Sequence, residues 1–431
     1  MTEALSRPSS ASAPASAVPP AAPPAARLYY GWVLVGVLAF TELTSWGVLY
    51  YGFSVFITPM GRDLGWSRAA ITGAFSLGLL VSGVVGLGVG RWLDRHGARA
   101  LMTAGSVAAA LLLLAWAMVG NLVLFWLVWA GIGAAMAATL YEPAFAVIAR
   151  WFVRKRSRAL TVLTFVAGLA SVIYVPLIAW LVRVQGWRGA LITLSIVLAV
   201  TTIPAHALLL RHRPEDLGLL PDGGPVPIDR AAPPETSAVL AEASTPAAEA
   251  IRSASFRWLA AAFTLTFLVN VAVTVHLISY LQDHGHTAAF AAAAAGAIGA
   301  MALPGRLIFT PLGGILPRRW VTASIFLVQA VALAVLLVVP GDAGVWLFVA
   351  LFGAGFGAIT PARAALVAEL YGPAHFGTIS GTLALVITGA RAVAPVGAGL
   401  LYTAIGRYEP VFAALAVVSV AAGLTVLRVE R

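Results

Sequence analysis

Long apolar stretches separated by short polar breaks run along almost the whole chain. Each stretch has about the 20 residues that a helix needs to cross a bilayer. Ala and Gly are frequent inside them, as is typical of membrane helices that pack closely. The pattern predicts an all-α membrane protein with twelve spans, at residues 31–54, 67–89, 100–119, 122–148, 158–182, 189–210, 257–281, 287–312, 320–339, 344–369, 376–402 and 408–427.

Two long polar segments divide the chain. Residues 1–28 are mostly Ala, Pro and Ser, and this composition predicts a disordered tail because it cannot bury a core. Residues 211–256, rich in Pro, Glu, Asp and Arg, predict a linker between six-helix halves at 29–210 and 257–427, and residues 428–431 form a short tail. Sequence similarity between the ends of spans four and ten indicates that the halves are related, which is typical of transporters that rock around a central site. Two helical bundles with no path between them remain the alternative.

The distribution of charge predicts the orientation. Most of the 27 Lys and Arg residues fall on the side that would also hold both chain ends and the linker. Because positive residues concentrate in cytoplasmic loops, both termini are predicted to be cytoplasmic. The basic charge then faces anionic lipid headgroups, and no nucleic-acid partner is required.

Composition excludes several classes of protein. With 60% hydrophobic and only 10% charged residues, the chain cannot form a water-soluble surface. It has no Cys, which excludes disulfides and thiolate metal sites. A phosphate-binding loop and a nucleophile–base pair are also absent from the sequence, so we predict neither an enzyme nor an ATP-driven transporter, and no cofactor.

A short motif follows the second predicted span. It reads Gly, three residues, Asp-Arg, one residue, Gly, one residue, Arg, and its members are Gly90, Asp94, Arg95, Gly97 and Arg99. The glycines permit a tight turn, and Asp94 can cap a helix N-terminus. The motif resembles the signature loop of the major facilitator superfamily. That resemblance implies the two-halved major facilitator fold and a conformational latch at these five residues. The second copy, at residues 313–319, has Pro317 at the Asp position, so no latch is predicted there.

Further segments, at residues 30–32, 63–68, 186–188 and 213–223, are similar to the bacterial monocarboxylate transporter and oxalate:formate antiporter group. The similarity implies a multi-pass secondary transporter of the bacterial inner (cell) membrane. It would move a small organic anion, a monocarboxylate in preference to a dicarboxylate, by alternating access. Coupling by proton symport and by anion exchange both remain open. Ala302, Tyr50 and Tyr51 stand where animal monocarboxylate transporters carry Asp and Lys, so proton symport does not follow from the similarity.

Five charged residues lie inside the predicted spans: Glu42, Glu142, Arg306, Arg363 and Arg391. Each costs roughly 2.5–3.5 kcal/mol at the bilayer centre, so each needs a reason. The planar fork of Arg matches a carboxylate. The resembling transporters carry a substrate-binding Arg in span eight and a basic residue in span eleven, which predicts that Arg306 and Arg391 hold the carboxylate. Fixed pairing of these arginines with Glu42 or Glu142 is the alternative.

The other polar residues of the spans carry weaker hypotheses. Glu42 is a candidate proton site or a static partner of an Arg. Glu142 and Arg363 are candidates for an inner gate pair or a fixed interhelical pair. Tyr141 is a candidate substrate contact, with packing as the alternative. His276 is a candidate polar group of the pore, with a packed, hydrogen-bonded histidine as the alternative.

Two histidines of an exterior loop, His284 and His286, lie beside Asp283, but solvated loop histidines are far commoner than zinc sites, and no metal is predicted.

Two rival functions stay open: an exporter of larger amphipathic compounds, of the drug-efflux type, and a receptor that binds a solute without moving it. The sequence indicates no obligate protein partner. The predicted partners are the bilayer, the organic anion and, with symport, protons.

Overall fold

The computed structural model describes residues 29–223 and 244–430, and the described residues form helices joined by short connections. In this part of the chain, eleven helices are long and apolar enough to cross a membrane. The one at Arg156–Leu209 has 54 residues and reverses at Gly186, where φ is 70° and ψ is 170°. The spans are therefore α1 (Tyr30–Leu64), α2 (Arg68–His96), α3 (Ala98–Ala117), α4 (Leu122–Trp151), α5 (156–185), α6 (187–209), α7 (Ala254–Asp283), α8 (Ala288–Leu312), α9 (Arg318–Val338), α10 (Gly341–Tyr371), α11 (Phe376–Ile405) and α12 (Glu409–Leu427).

The reversal at Gly186 is supported by contacts at both ends of the 54-residue run. The Tyr29 hydroxyl donates to the Trp151 carbonyl, 2.8 Å away and close to the start of α5. The neighbouring Tyr30 hydroxyl donates to the Leu209 carbonyl at the end of α6, also at 2.8 Å. Both ends of the run thus lie at one face of the protein, and the chain must turn back between them.

Several helices are longer than the hydrophobic pattern predicts. α1 continues past residue 54 to Leu64 and ends where Gly65 takes φ 69°. α2 continues to His96, so Gly90, Asp94 and Arg95 lie on its last two turns. The prediction of a loop at Gly90 was wrong, because polar residues at the end of a membrane helix do not stop the helix. The predicted tail at 1–28 and residues 224–243 of the linker lie outside the described residues.

α1 changes its hydrogen-bond pattern halfway along. Trp46–Tyr51 is a π-helical segment, in which the Gly52 amide bonds to the Gly47 carbonyl five residues back at 2.8 Å. Gly47 is needed there because a Cβ on it would collide with the Tyr174 ring of α5. Single π-helical turns are frequent at functional sites.

α4 is broken, whereas its counterpart α10 is not. Leu140 leaves the helical region at φ −89° and ψ −162°, and a new segment begins at Tyr141. Pro143 is the third residue of that segment, where a helix has no partner for the missing N–H in any case. In α10, Pro361 stands at the position related to Glu142, one residue earlier than Pro143, and the helix continues through it.

The hydrophobic core shows how the two halves meet. We call the arginine-rich face the one that carries the α2–α3, α4–α5, α8–α9 and α10–α11 connections and both described ends of the linker. Near this face one continuous core includes residues of both halves, such as Leu93, Phe145, Phe263 and Ile379. Near the opposite face each half has its own separate core. The halves are therefore joined at the arginine-rich face and apart at the other.

Candidate functional site

Arg306 of α8 reaches across from the second half to the first. Its side chain is half-buried; Nε donates to the Gly357 carbonyl of α10 at 3.1 Å, and Nη1 donates to the Thr164 carbonyl of α5. Gly168, one turn beyond Thr164, leaves space for the guanidinium, because a Cβ there would collide with Nη1. Arg306 forms no ion pair with a carboxylate among the described residues. Backbone carbonyls fix its position and leave its charge unneutralised.

One tryptophan and three tyrosines of the first half, which we call the tyrosine wall, face this arginine. Ring centroids are 4.9 Å apart for Trp46 and Tyr141, 5.1 Å for Trp46 and Tyr50, and 5.2 Å for Tyr50 and Tyr51. Tyr51 and Tyr141 are close enough to Arg306 to interact with its charge. The wall depends on the π-helical segment, which carries three of the four rings. All four side chains are only half-buried, so they border open space.

Arg391 of α11 faces the same wall. Its guanidinium carbon lies 4.3 Å from the centre of the Phe267 ring, and the residue interacts electrostatically with Tyr50. The side chain is exposed, and it forms no hydrogen bond or ion pair with any residue that the structure describes. Stacking on an aromatic face supports a guanidinium without neutralising it. Two uncompensated cations of the second half thus lie opposite tyrosines of the first, and we call the region between Arg306, Arg391 and these tyrosines the chamber.

Glu142 and Arg363 form an ion pair between the halves. Arg363 Nη2 of α10 contacts Glu142 Oε1 of α4, and the Ser380 hydroxyl of α11 donates to Glu142 Oε2 at 2.8 Å. Only 8% of the Arg363 side chain and 24% of the Glu142 side chain is exposed, so the pair is largely shielded from water. It lies where the shared core begins. Glu142 is therefore engaged by Arg363 and forms no ion pair with Arg306 or Arg391.

Glu42 has no cationic partner among the described residues. It is fully buried in α1, and neither carboxylate oxygen has a hydrogen-bond partner. The indole nitrogen of Trp46, one turn further along, is the polar group that interacts with this carboxylate. Glu42 forms no ion pair with an Arg, unlike the static partner considered from the sequence. An isolated buried carboxylate is costly, and a proton removes that cost.

Asp94 joins the two halves at the arginine-rich face. Its Oδ1 accepts the Gly377 amide and its Oδ2 the Thr378 amide, both at 2.8 Å, at the start of α11. A carboxylate at this position also favours the positive end of the helix dipole. Gly90, one turn earlier, allows the backbones to approach, because a Cβ there would collide with the Gly377 carbonyl. We call the two bonds of Asp94 the latch.

The remaining motif residues act locally. Gly97 takes φ 76° in the turn between α2 and α3. Arg99 Nε donates to the Ala207 carbonyl of α6 at 2.6 Å. Arg95 is exposed and bonds to no described residue. Of the five predicted latch residues, Gly90 and Asp94 are the two whose described bonds and close approaches reach the other half.

His276 lies between helices of the second half. Its Nε2 is 3.0 Å from the Pro395 carbonyl, which can only accept, so Nε2 carries the hydrogen and Nδ1 accepts from the Tyr408 hydroxyl at 3.2 Å. Both nitrogens are engaged, which leaves neither for a solute and corresponds to the packed alternative.

On the face opposite the arginine-rich one, His284 and His286 each lie near a different carboxylate, and no cluster of three metal-ligating side chains occurs within 29–223 and 244–430.

Sequence reasoning missed the residues that hold the arginines in place. Thr164 and Gly357 act through their carbonyls, which any residue type supplies, so no signal in the sequence marks them. Trp46 could have been noticed, and Tyr50, named above only as a departure from the animal transporters, could have been identified as a site residue, because polar aromatic side chains recur there one turn apart beside Glu42 in an otherwise apolar span. Only the fold brings them opposite Arg306.

Comparison with known proteins adds the family. A family model described as Major Facilitator Superfamily matches residues 35–381. Monocarboxylate transporter 13 of Bos taurus is 26% identical over 352 residues, which are 80% of this chain and 76% of that protein. The uncharacterized MFS-type transporter YcxA of Bacillus subtilis (strain 168) is 24% identical over 392 residues, which are 85% of this chain and 88% of that protein.

Solved structures share the fold. The MFS transporter FucP in the outward conformation has a TM-score of 0.71 at 15% identity, and the match covers 93% of this chain and 100% of FucP. The proton:xylose symporter XylE has a TM-score of 0.72 at 14% identity, with coverage of 93% and 96%. The predicted all-α architecture of two six-helix halves is confirmed.

Proposed function

This chain belongs to the major facilitator superfamily and is a multi-pass membrane transport protein, not an enzyme; from that premise we propose that it moves a small organic anion, a monocarboxylate, by alternating access. The observation that carries the proposal is the pair of uncompensated guanidiniums of Arg306 and Arg391. Both belong to one half and face the tyrosine wall of the other. A carboxylate between them would complete the charge balance and bridge the halves.

The charges of the site favour a monoanion when Glu42 is ionised. Arg363 is neutralised by Glu142, which leaves Arg306 and Arg391 against Glu42. If Glu42 is ionised, one positive charge remains, and one carboxylate neutralises it. If Glu42 is protonated, two positive charges remain. The protonation state of Glu42 thus sets how many negative charges the site accepts, and this links the organic anion to a proton. The sequence similarity to Monocarboxylate transporter 13 supports the same class of substrate.

We propose that the arginine-rich face is cytoplasmic and that both termini lie there, in the inner membrane of a bacterium. The positive-inside rule supports this orientation. In this orientation the joined halves and the latch close the cytoplasmic side, and the proposed path from outside to the tyrosine wall runs between the two separate cores. Alternating access requires the latch and the Glu142–Arg363 pair to open once the substrate is bound.

The experiment is uptake of labelled monocarboxylates into proteoliposomes containing Arg306→Lys. Lys keeps the charge but loses the fork that bonds both Thr164 and a carboxylate, so we expect uptake to fall at least tenfold at unchanged protein level. Arg428→Lys is the matched control, because Arg428 lies over the Trp258 ring away from the chamber. Normal uptake by Arg306→Lys would remove Arg306 from the site, and export of bulky amphipathic compounds independent of Arg306 would favour the drug-efflux alternative.

Glu42→Gln tests proton coupling. With Glu42 as the proton carrier, the variant keeps exchange of internal for external anion but loses accumulation driven by an imposed pH gradient. Accumulation that survives in the variant would leave anion exchange, or a different proton site, as the mode of coupling.

A further inference from the structure

A groove of about 580 Å³ lies on the arginine-rich side of the first half, away from the chamber. It runs between the start of α3 and the end of α6. Ala100, Ala104 and Leu210 contribute an apolar floor, and Arg99, Arg211 and Asp216 lie around it. The transport cycle proposed above uses none of these side chains, and Arg99 bonds locally to α6.

Both arginines of the groove are fixed by backbone carbonyls at the end of α6. Arg99 Nε donates to Ala207 at 2.6 Å, and Arg211 Nη1 donates to Leu208 at 2.7 Å and to Leu210 at 3.0 Å. The π-helical turn Ala205–Leu209 ends α6 and leaves such carbonyls without helical partners. Each guanidinium retains nitrogens that bond to no described residue, so each is held in place with donors to spare.

No carboxylate neutralises the two arginines. Neither forms an ion pair with an acid in the described part of the chain. Asp216 is the one acid in the lining, and its Oδ2 accepts the Arg213 amide at 3.0 Å. The groove therefore holds two positive charges against one negative charge, which favours an anion.

Two histidines complete the polar end. His96 and His212 line the groove, and His212 contacts Arg150. Burial and the neighbouring guanidiniums of Arg150 and Arg213 lower the pKa of His212 to about 4. The His212 ring is neutral at pH 7 and adds no charge, but it supplies a polar wall against which Gly97 packs, since a Cβ on Gly97 would lie 2.7 Å from the ring.

The groove opens onto a lipid-facing apolar surface. Beyond it along the same two helices lie exposed side chains that a water-soluble protein would bury, namely Val107 and Leu111 on α3 and Val200 and Leu208 on α6. These residues continue from the charged end of the groove toward the middle of the membrane. A ligand that fits both parts has an anionic head and apolar chains.

We propose that this groove binds an anionic phospholipid, with the headgroup phosphate between Arg99 and Arg211 and an acyl chain along α3 and α6. Basic pockets between membrane helices at this depth suit such headgroups. Free phosphate would meet the same two arginines but would leave the apolar floor and the surface beyond it uncovered. The combination of a fixed, uncompensated pair of arginines with an apolar track therefore favours the lipid.

The test is binding of phosphatidylglycerol to the delipidated full-length protein, followed by native mass spectrometry. We expect one tightly retained lipid and roughly 30-fold weaker binding in Arg99→Gln/Arg211→Gln, which corresponds to about 2 kcal/mol for two charges near a membrane surface. Arg252→Gln/Arg257→Gln is the matched control, because it removes two exposed arginines from the same side at the start of the second half. The control should retain the lipid.

A second variant separates loss of charge from loss of folding. Ala104→Trp keeps both arginines and fills the floor from an exposed position; we expect it to weaken phosphatidylglycerol binding, whereas Leu127→Trp on the exposed surface of α4 should not. Phosphatidylcholine at equal concentration should not bind tightly. Equal binding of inorganic phosphate, equal loss in the Arg252/Arg257 control, or full retention by Ala104→Trp would each overturn the proposal.

Discussion

Replacing Asp94 with Asn should open the arginine-rich face. In the structure, each carboxylate oxygen of Asp94 accepts one backbone amide at the start of α11, at 2.8 Å. Asn keeps one acceptor oxygen and places an NH₂ group at the other position, so one bond and the negative charge are lost. Because these are the bonds that join the end of α2 to α11, the substitution acts on the closed arrangement of the halves and hardly on either half alone.

The size of the effect follows from the bonds lost. A hydrogen bond to a charged group contributes about 1.5–3 kcal/mol, and the interaction of a carboxylate with a helix N-terminus adds roughly 0.3–1 kcal/mol. Because water rehydrates the freed amide when the face opens, we take about 2 kcal/mol as the net change. That value lowers the ratio of closed to open protein about 30-fold.

The assay uses the absence of Cys from the sequence. Ser157→Cys places one thiol at a residue that is buried where α5 meets Gly314 of the second half, so a maleimide reaches it only when the face opens. We expect labelling to become up to 30-fold faster in Asp94→Asn. Asp63→Asn is the control, because Asp63 pairs with Arg188 inside the first half. An unchanged labelling rate in Asp94→Asn would refute the latch.

Three further outcomes are expected. Arg363→Gln leaves Glu142 as a shielded, unpaired charge and should lower the free energy of unfolding by about 3–5 kcal/mol, whereas the double variant Glu142→Gln/Arg363→Gln should lower it less. Thermal unfolding in detergent measures both variants, and equal losses would argue against the pair. His276→Phe removes two interhelical bonds and should lower the unfolding temperature while leaving KM for the transported anion unchanged; a raised KM would return His276 to the pore. His212 has a pKa of about 4 in the folded protein and about 6.5 in the unfolded chain, so the unfolded chain binds an additional proton and stability falls as pH drops from 6.5 to 4. His212→Gln should reduce this dependence of stability on pH, and a dependence that persists in the variant has another origin.

The arginines of the chamber show how far sequence reasoning reached. The cost of a charge in the membrane singled out Arg306 and Arg391, because a guanidinium inside a membrane span needs a reason wherever it lies. What the sequence left open was whether each arginine was neutralised by Glu42 or Glu142. That question depends on which side chains meet across two halves separated by many residues, and the structure pairs Glu142 with Arg363 and leaves Glu42 alone.

For the motif at the end of α2, the sequence identified the residues but did not show their structure or their contacts. Its residue types were recognisable, but the expected loop is helical, and two of its five predicted members are those whose described bonds and close approaches reach the second half. Asp94 acts on amides of residues 377 and 378, more than 280 positions away. A local pattern can show that a carboxylate is able to cap a helix, but it cannot show which helix it caps.

The sequence alone determined the class, the number of spans and the division into halves, since hydrophobic length and charge bias act along the chain and are read residue by residue. Tertiary structure alone decided which charges remain unpaired, which face of the protein is joined and where α1 unwinds into a π-helical turn. The physical reason is the separation along the chain of the residues that interact. The free energy of transferring a segment into lipid is a sum of local contributions. An ion pair, a latch or a tyrosine wall exists only once residues far apart along the chain are brought within a few ångströms.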